Sequence, residues 1–104
     1  MRFMRFVMFD ASKTHEVAAA SDKVWKNPPA GIKILASYIC LGLVFPGTQS
    51  TMMVAIQIIE AESTEAMAAT TYPISLAGAM TWDVPLMELP VGASAEEEVG
   101  KRNI

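Results

Sequence analysis

The sequence predicts an α+β domain in which four apolar strands and two helices follow one another in the order β-α-β-β-α-β. Three observations carry this. Runs rich in β-branched, aromatic and methionine side chains recur at 1–9, 32–41, 51–60 and 80–89. The apolar residues of 12–26 recur instead at intervals of three and four, the period of a helix face. Helix and turn punctuation at Asn27-Pro28-Pro29, Pro46-Gly47, Tyr72-Pro73 and Gly78 separates the runs.

The first strand is MRFMRFVMF, bounded by Asp10. In the segment SKTHEVAAASDKVWK that follows, Val17, Ala20 or Ser21, and Val24 with Trp25 make one buried helix face, and Asn27-Pro28-Pro29 ends it because proline lacks a donor and restricts its predecessor. Ile32 to Leu41 is the second strand and Thr51 to Glu60 the third, with Gly42 to Ser50 as the connection. Ser63 is a good N-cap for a helix from Thr64 to about Thr71, which Tyr72-Pro73 is expected to end. Met80 to Leu89 is the fourth strand, and Pro85 restricts it to a sheet edge or bulge. Right-handed crossovers fold such an order into a four-stranded antiparallel sheet, strand order 4-1-3-2, with both helices on one face: a ferredoxin-like sandwich over 1–92. Residues 93–104 read as a polar C-terminal tail, in which Ser94 and Glu97 resemble a capping box and allow a short helix.

At 104 residues the chain has room for one core. It is 52% hydrophobic and only 18% charged, so it either exposes an apolar patch or buries one against a partner. A net charge of −3 and eight scattered basic residues give no footprint for nucleic acid. The apolar run from Ile34 to Phe45 is shorter than the roughly 20 residues of a spanning helix, so no membrane is expected. The N-terminal stretch lacks a small-residue cleavage site, and the single Cys40 forms no internal disulfide and supports no cysteine zinc site; the cytoplasm is the expected compartment.

Strand parity divides the sheet into two faces. The nearly all-apolar set of Met4, Phe6 and Met8, with Ile32, Ile34, Ala36 and Tyr38, Val54, Ile56 and Ile58, and Met80, Trp82, Val84 and Leu86, is expected to face the helices. Phe3, Arg5, Val7 and Phe9, with Leu35, Ser37, Ile39 and Leu41, Met53, Ala55, Gln57 and Ile59, and Thr81, Asp83 and Met87, are left for the other face. That face is too apolar for water, and covering it with a second copy of the chain makes a homodimer held by apolar burial.

The motif PPAGIKIL with the later IIEAEST, together with Trp25 and the stretch from Trp82 to Val91, resembles a small domain-of-unknown-function family of the dimeric α/β-barrel superfamily, over about residues 1 to 92. Tyr38 and Ile39 stand where that family is expected to carry an aromatic and a histidine. The resemblance implies a dimer with facing sheets and no assigned reaction; related barrels include monooxygenases, isomerases and haem proteins.

Arg5, Ser37, Gln57 and Asp83 share one parity and are the candidate ligand-binding constellation, with Asp83 able to face Arg5 across strands 1 and 4. Its two readings are a satisfied interface network, or a small-molecule site in which Asp83 acts as a base and Arg5 steadies an anion without a cofactor. Tyr38 and Trp82 join the candidates as aromatics expected in the core, each needing a partner for its polar tip. His15 reads as an exposed helix residue, Cys40 as a small buried hydrophobe, and Glu60 and Glu62 as charges at a strand end and a helix start. No metal-ligand spacing or phosphate-loop pattern occurs, and neither metal nor cofactor is expected.

Overall fold

The computed structural model describes residues 1–42, 46–47, 49–89 and 95–101. Strand β1 spans Arg2–Asp10, helix α1 Thr14–Lys26, β2 Ile32–Ile39, β3 Met52–Ala61, α2 Thr64–Leu76, β4 Met80–Leu86 and α3 Ala95–Lys101. A 3-10 turn over Ala11–Lys13 replaces the expected start of the first helix, with the Asp10 carboxylate accepting from the Ser12 N–H. α3 lies in the stretch read as a tail, while Ser94 of its expected capping box falls outside the described residues.

All strand pairs are antiparallel and the sheet order is β2-β3-β1-β4, which reads 4-1-3-2 from the opposite edge. Pro85 therefore sits on an edge strand, where its missing N–H breaks no inner ladder. Between α1 and β2, Gly31 takes φ 79°, a left-handed conformation that a side chain disfavours, and its carbonyl accepts from the Glu62 N–H at 2.9 Å.

α2 runs five residues beyond its expected end, with Pro73 inside it. Ala69, whose carbonyl loses its helical donor at Pro73, is exposed along with Pro73, so water can serve that carbonyl. Ile74 beyond it is fully buried, and Ala66, Met67, Thr70 and Ile74 make the continuous inner face of the helix. Burying a large aliphatic side chain is worth about 1.5–3 kcal/mol, comparable to the cost of the proline.

The face assignment is reversed. Phe3, Arg5, Val7 and Phe9 are the buried residues of β1, and they pack under the helices. Phe3, Ile32, Ile59, Ala61, Ala66 and Met67 form one core cluster with Trp25 against it, while Val7, Phe9, Val17, Ile74 and Ala79 form a second. The purely apolar set was the more obvious core; the structure instead buries the set that carries Arg5, because α2 brings it hydrogen-bond acceptors. Strand β2 also breaks strict parity. Its register against β3 shifts between Ile34, opposite Ile59, and Ala36, opposite Ile58, so Ile32 and Ile34 share the helix side with Ser37 and Ile39, and Ala36 and Tyr38 turn to the other face.

Candidate functional site

Ser37, Gln57, Arg5 and Asp83 form one transverse row on the helix side of the sheet: Ser37 pairs with Gln57, Gln57 with Arg5, and Arg5 with Asp83. The row joins the four polar residues singled out in the sequence. It places them under the helices, not on the leftover face.

Its two halves differ. Arg5 is 0% exposed and its guanidinium is committed to the protein: Nε donates to Asp83 Oδ1 at 2.8 Å, Nη2 to Asp83 Oδ2 at 3.3 Å, Nη1 to Thr70 Oγ1 at 2.8 Å, and Nη2 also to the Met67 carbonyl at 3.0 Å and Thr71 Oγ1 at 2.7 Å. The Thr70 and Thr71 hydroxyls in turn donate to the Met67 carbonyl. A buried guanidinium is tolerated only when paired and bonded in this way. Asp83 keeps 24% exposure and opens onto a cleft of about 560 Å3 between α2 and β4, lined with Phe3, Thr71, Tyr72 and Pro85. In the other half, Gln57 is 4% exposed; its Nε2 donates to Ser21 Oγ on α1 at 3.4 Å, and its Oε1 is buried with no partner. Gln57 lines a cavity of about 220 Å3 between α1 and the β2–β3 pair, with Ser37 also on its wall.

Tyr38 and Trp82 are not part of this row. They lie on the opposite face and are exposed, Tyr38 by 62% and Trp82 by 38%, which corrects their reading as core aromatics; α1 and α2 cover the other side. There they close a second row, Tyr38–Ile56–Phe6–Trp82, with the Phe6 and Trp82 rings stacked at 5.5 Å. Rows of Ala36–Ile58–Met4–Val84 and Val54–Met8–Met80 flank it. The last row carries charge: Arg2 stands between Leu86 and Glu60, and Glu60 faces Lys33. Hydrogen bonds from the Met1 ammonium and from Arg2 Nε hold the Glu60 carboxyl below its ordinary range.

His15 is exposed on α1, and Cys40 is half-buried, with its N–H donating to the Val54 carbonyl. Among the described residues no group of three or more His, Cys, Asp or Glu side chains converges to hold a metal, and no helix is long and apolar enough to cross a membrane. Sequence reasoning missed Thr70, Thr71, Ser21 and Asp22 as neighbours of the row. Thr70-Thr71 within an alanine-rich helix was the available signal, since paired β-branched hydroxyl residues suit a helix interior poorly unless something uses them.

No model of a known protein family matches the chain, and no curated protein does. Among solved structures, the chain is similar to a DUF3240 family protein from Shewanella baltica OS155, with a TM-score of 0.50, 8% identity, and 88% of this chain and 97% of that one covered. It also aligns with CutA1, a stable protein from the psychrotrophic Shewanella sp. SIB1, with a TM-score of 0.44, 13% identity and coverage of 98% and 92%. At 8% identity the first likeness speaks to the fold alone, and it agrees with a small ferredoxin-like α+β domain.

Proposed function

We propose that this chain is a homodimeric interaction module of the cytoplasm whose open sheet face docks on a second copy of itself, in the manner of the dimeric α/β barrels. The observation that carries the reading is the apolar face built from the Tyr38–Ile56–Phe6–Trp82 row and its flanking rows, on the side of the sheet opposite α1 and α2. Four strands ~4.8 Å apart and ~20 Å long project about 400 Å2, the size of the largest and often functional patch on a monomer and about half of the ~800 Å2 that each partner gives to a standard interface. Aromatic rows suit the dry centre of such a contact, and the charged row of Arg2, Glu60 and Lys33 suits its rim. That row holds both signs, so it is compatible with a two-fold contact, in which a surface must complement itself.

The alternative of a cofactor-independent monooxygenase or isomerase has less support. It needs Arg5 to steady a developing anion, and Arg5 is committed to Asp83, Thr70, Thr71 and the Met67 carbonyl.

Sedimentation or light scattering at micromolar concentration is expected to give about twice the 11.3 kDa chain mass. A monomer at that concentration that binds no apolar dye overturns the reading.

A further inference from the structure

The cavity between α1 and the β2–β3 pair has the makings of a second site, on the helix side and so independent of the dimer. Val7, Phe9 and Ala55 give it an apolar floor, and Ser21 and Asp22 of α1 with Ser37 of β2 give it polar walls. Gln57 adds the decisive feature. Gln57 is 4% exposed, one end of its amide is taken by Ser21, and Oε1 is buried with no donor among the described residues. A buried acceptor left unpaired costs about 1–3 kcal/mol, and a small turn of the Gln57 side chain into the cavity lets a ligand that donates to Oε1 recover this.

The geometry points to a binding site here for a small amine with an apolar body. Gln57 Oε1 and the Asp22 carboxylate are acceptors, and the Ser37 hydroxyl can accept as well. An ammonium group offers three donors and no acceptor, and so matches them, whereas a carboxylate would meet the Asp22 charge and leave Oε1 unpaired. The hydrocarbon part lies on Phe9 and Ala55. At about 220 Å3 the cavity is smaller than the ~300–1,000 Å3 of drug-sized sites, which restricts it to a single ring or a short chain.

The test is a titration of the full chain with benzylamine, benzyl alcohol and benzoate, followed by backbone amide shifts. Benzylamine is expected to move the amides of Ser21, Ser37 and Gln57 with a saturable curve, and benzyl alcohol and benzoate to bind at least tenfold more weakly. Asp22 is exposed, so Asp22→Asn keeps the fold; it is expected to weaken benzylamine about tenfold, the loss of one charge-assisted hydrogen bond. Ala18→Leu, made on an exposed helix position that lines the cavity, is expected to block binding. Absence of saturable shifts at these residues, equal binding of amine and alcohol, or an affinity unmoved by Asp22→Asn each overturns the site.

Discussion

Arg5 and Asp83 stand opposite each other in the β1–β4 ladder and close a two-pronged ion pair, with Nε to Oδ1 at 2.8 Å, beneath α2. The pair ties the edge strand β4 to the centre of the sheet, and the Thr70, Thr71 and Met67 acceptors tie both to the helix.

Asp83→Ala therefore leaves a buried guanidinium without its counter-charge. The expected loss is about 3 kcal/mol, at the low end of the range for a broken buried pair because Asp83 is partly exposed. Arg5→Met combined with Asp83→Leu should recover much of it, since Thr70 and Thr71 keep their bonds to the Met67 carbonyl. Urea unfolding of the three proteins checks this; a double variant no more stable than Asp83→Ala contradicts it.

The two faces of β1 and β4 predict opposite responses to a new charge. Val7→Asp puts an unpaired carboxylate into the second core cluster, costs several kcal/mol and is expected to abolish the folded circular-dichroism spectrum. Trp82→Asp on the open face is expected to keep that spectrum and to halve the mass seen by light scattering.

Gly31→Ala is expected to lower stability by about 1–2 kcal/mol, the penalty of a side chain in the left-handed region. The added Cβ would lie 2.9 Å from Glu62 Oε2, a flexible and exposed group that can move aside. Backbone conformation, not crowding, thus sets the effect, and Gly31→Ala combined with Glu62→Ala should recover little in a thermal melt.

Asp10 carries a pH signature. The Ser12 backbone N–H, then the Ser12 hydroxyl, hold its carboxyl below the usual aspartate range against a small desolvation effect. A carboxyl lowered on folding adds stability that is present above its unfolded pKa of about 3.9 and is lost as pH falls through the lower folded value. Asp10→Asn is expected to melt below the wild type at pH 6, with the difference closing below about pH 4. A difference that stays constant down to pH 2 excludes Asp10 as its source.

The element order and the transverse row were legible in the sequence because both rest on local facts. Strand runs, the helix period and turn residues are near-neighbour properties. Once the right-handed crossovers set strand adjacency, residue spacing brings Gln57, Arg5 and Asp83 abreast, and Ser37 joins them through the register shift between Ile34 and Ala36. The extension of α2 past Pro73 was not legible, because its warrant is the burial of Ile74 against Val7 and Phe9, residues more than sixty positions away.

What the sequence determined by itself, then, is the βαββαβ order, the antiparallel sheet and the division of the strands into two sets of side chains. Which set lies under the helices was decided only by tertiary structure. Hydrophobicity ranks the even set of β1, Met4, Phe6 and Met8, as the better core, and a rule based on it turns Arg5 outward. Arg5 goes inward because α2 delivers the Thr70 and Thr71 hydroxyls and the Met67 carbonyl to one end of its guanidinium, and β4 delivers Asp83 to the other. A charge is buried when its partners converge in space, and no single segment of the chain holds that information. The register shift between Ile34 and Ala36 adds the same lesson in small: one residue out of step sends Ile32 and Ile34 into the core under the helices, while Ala36 and Tyr38 stay in the set of Phe6 and Trp82 on the open face.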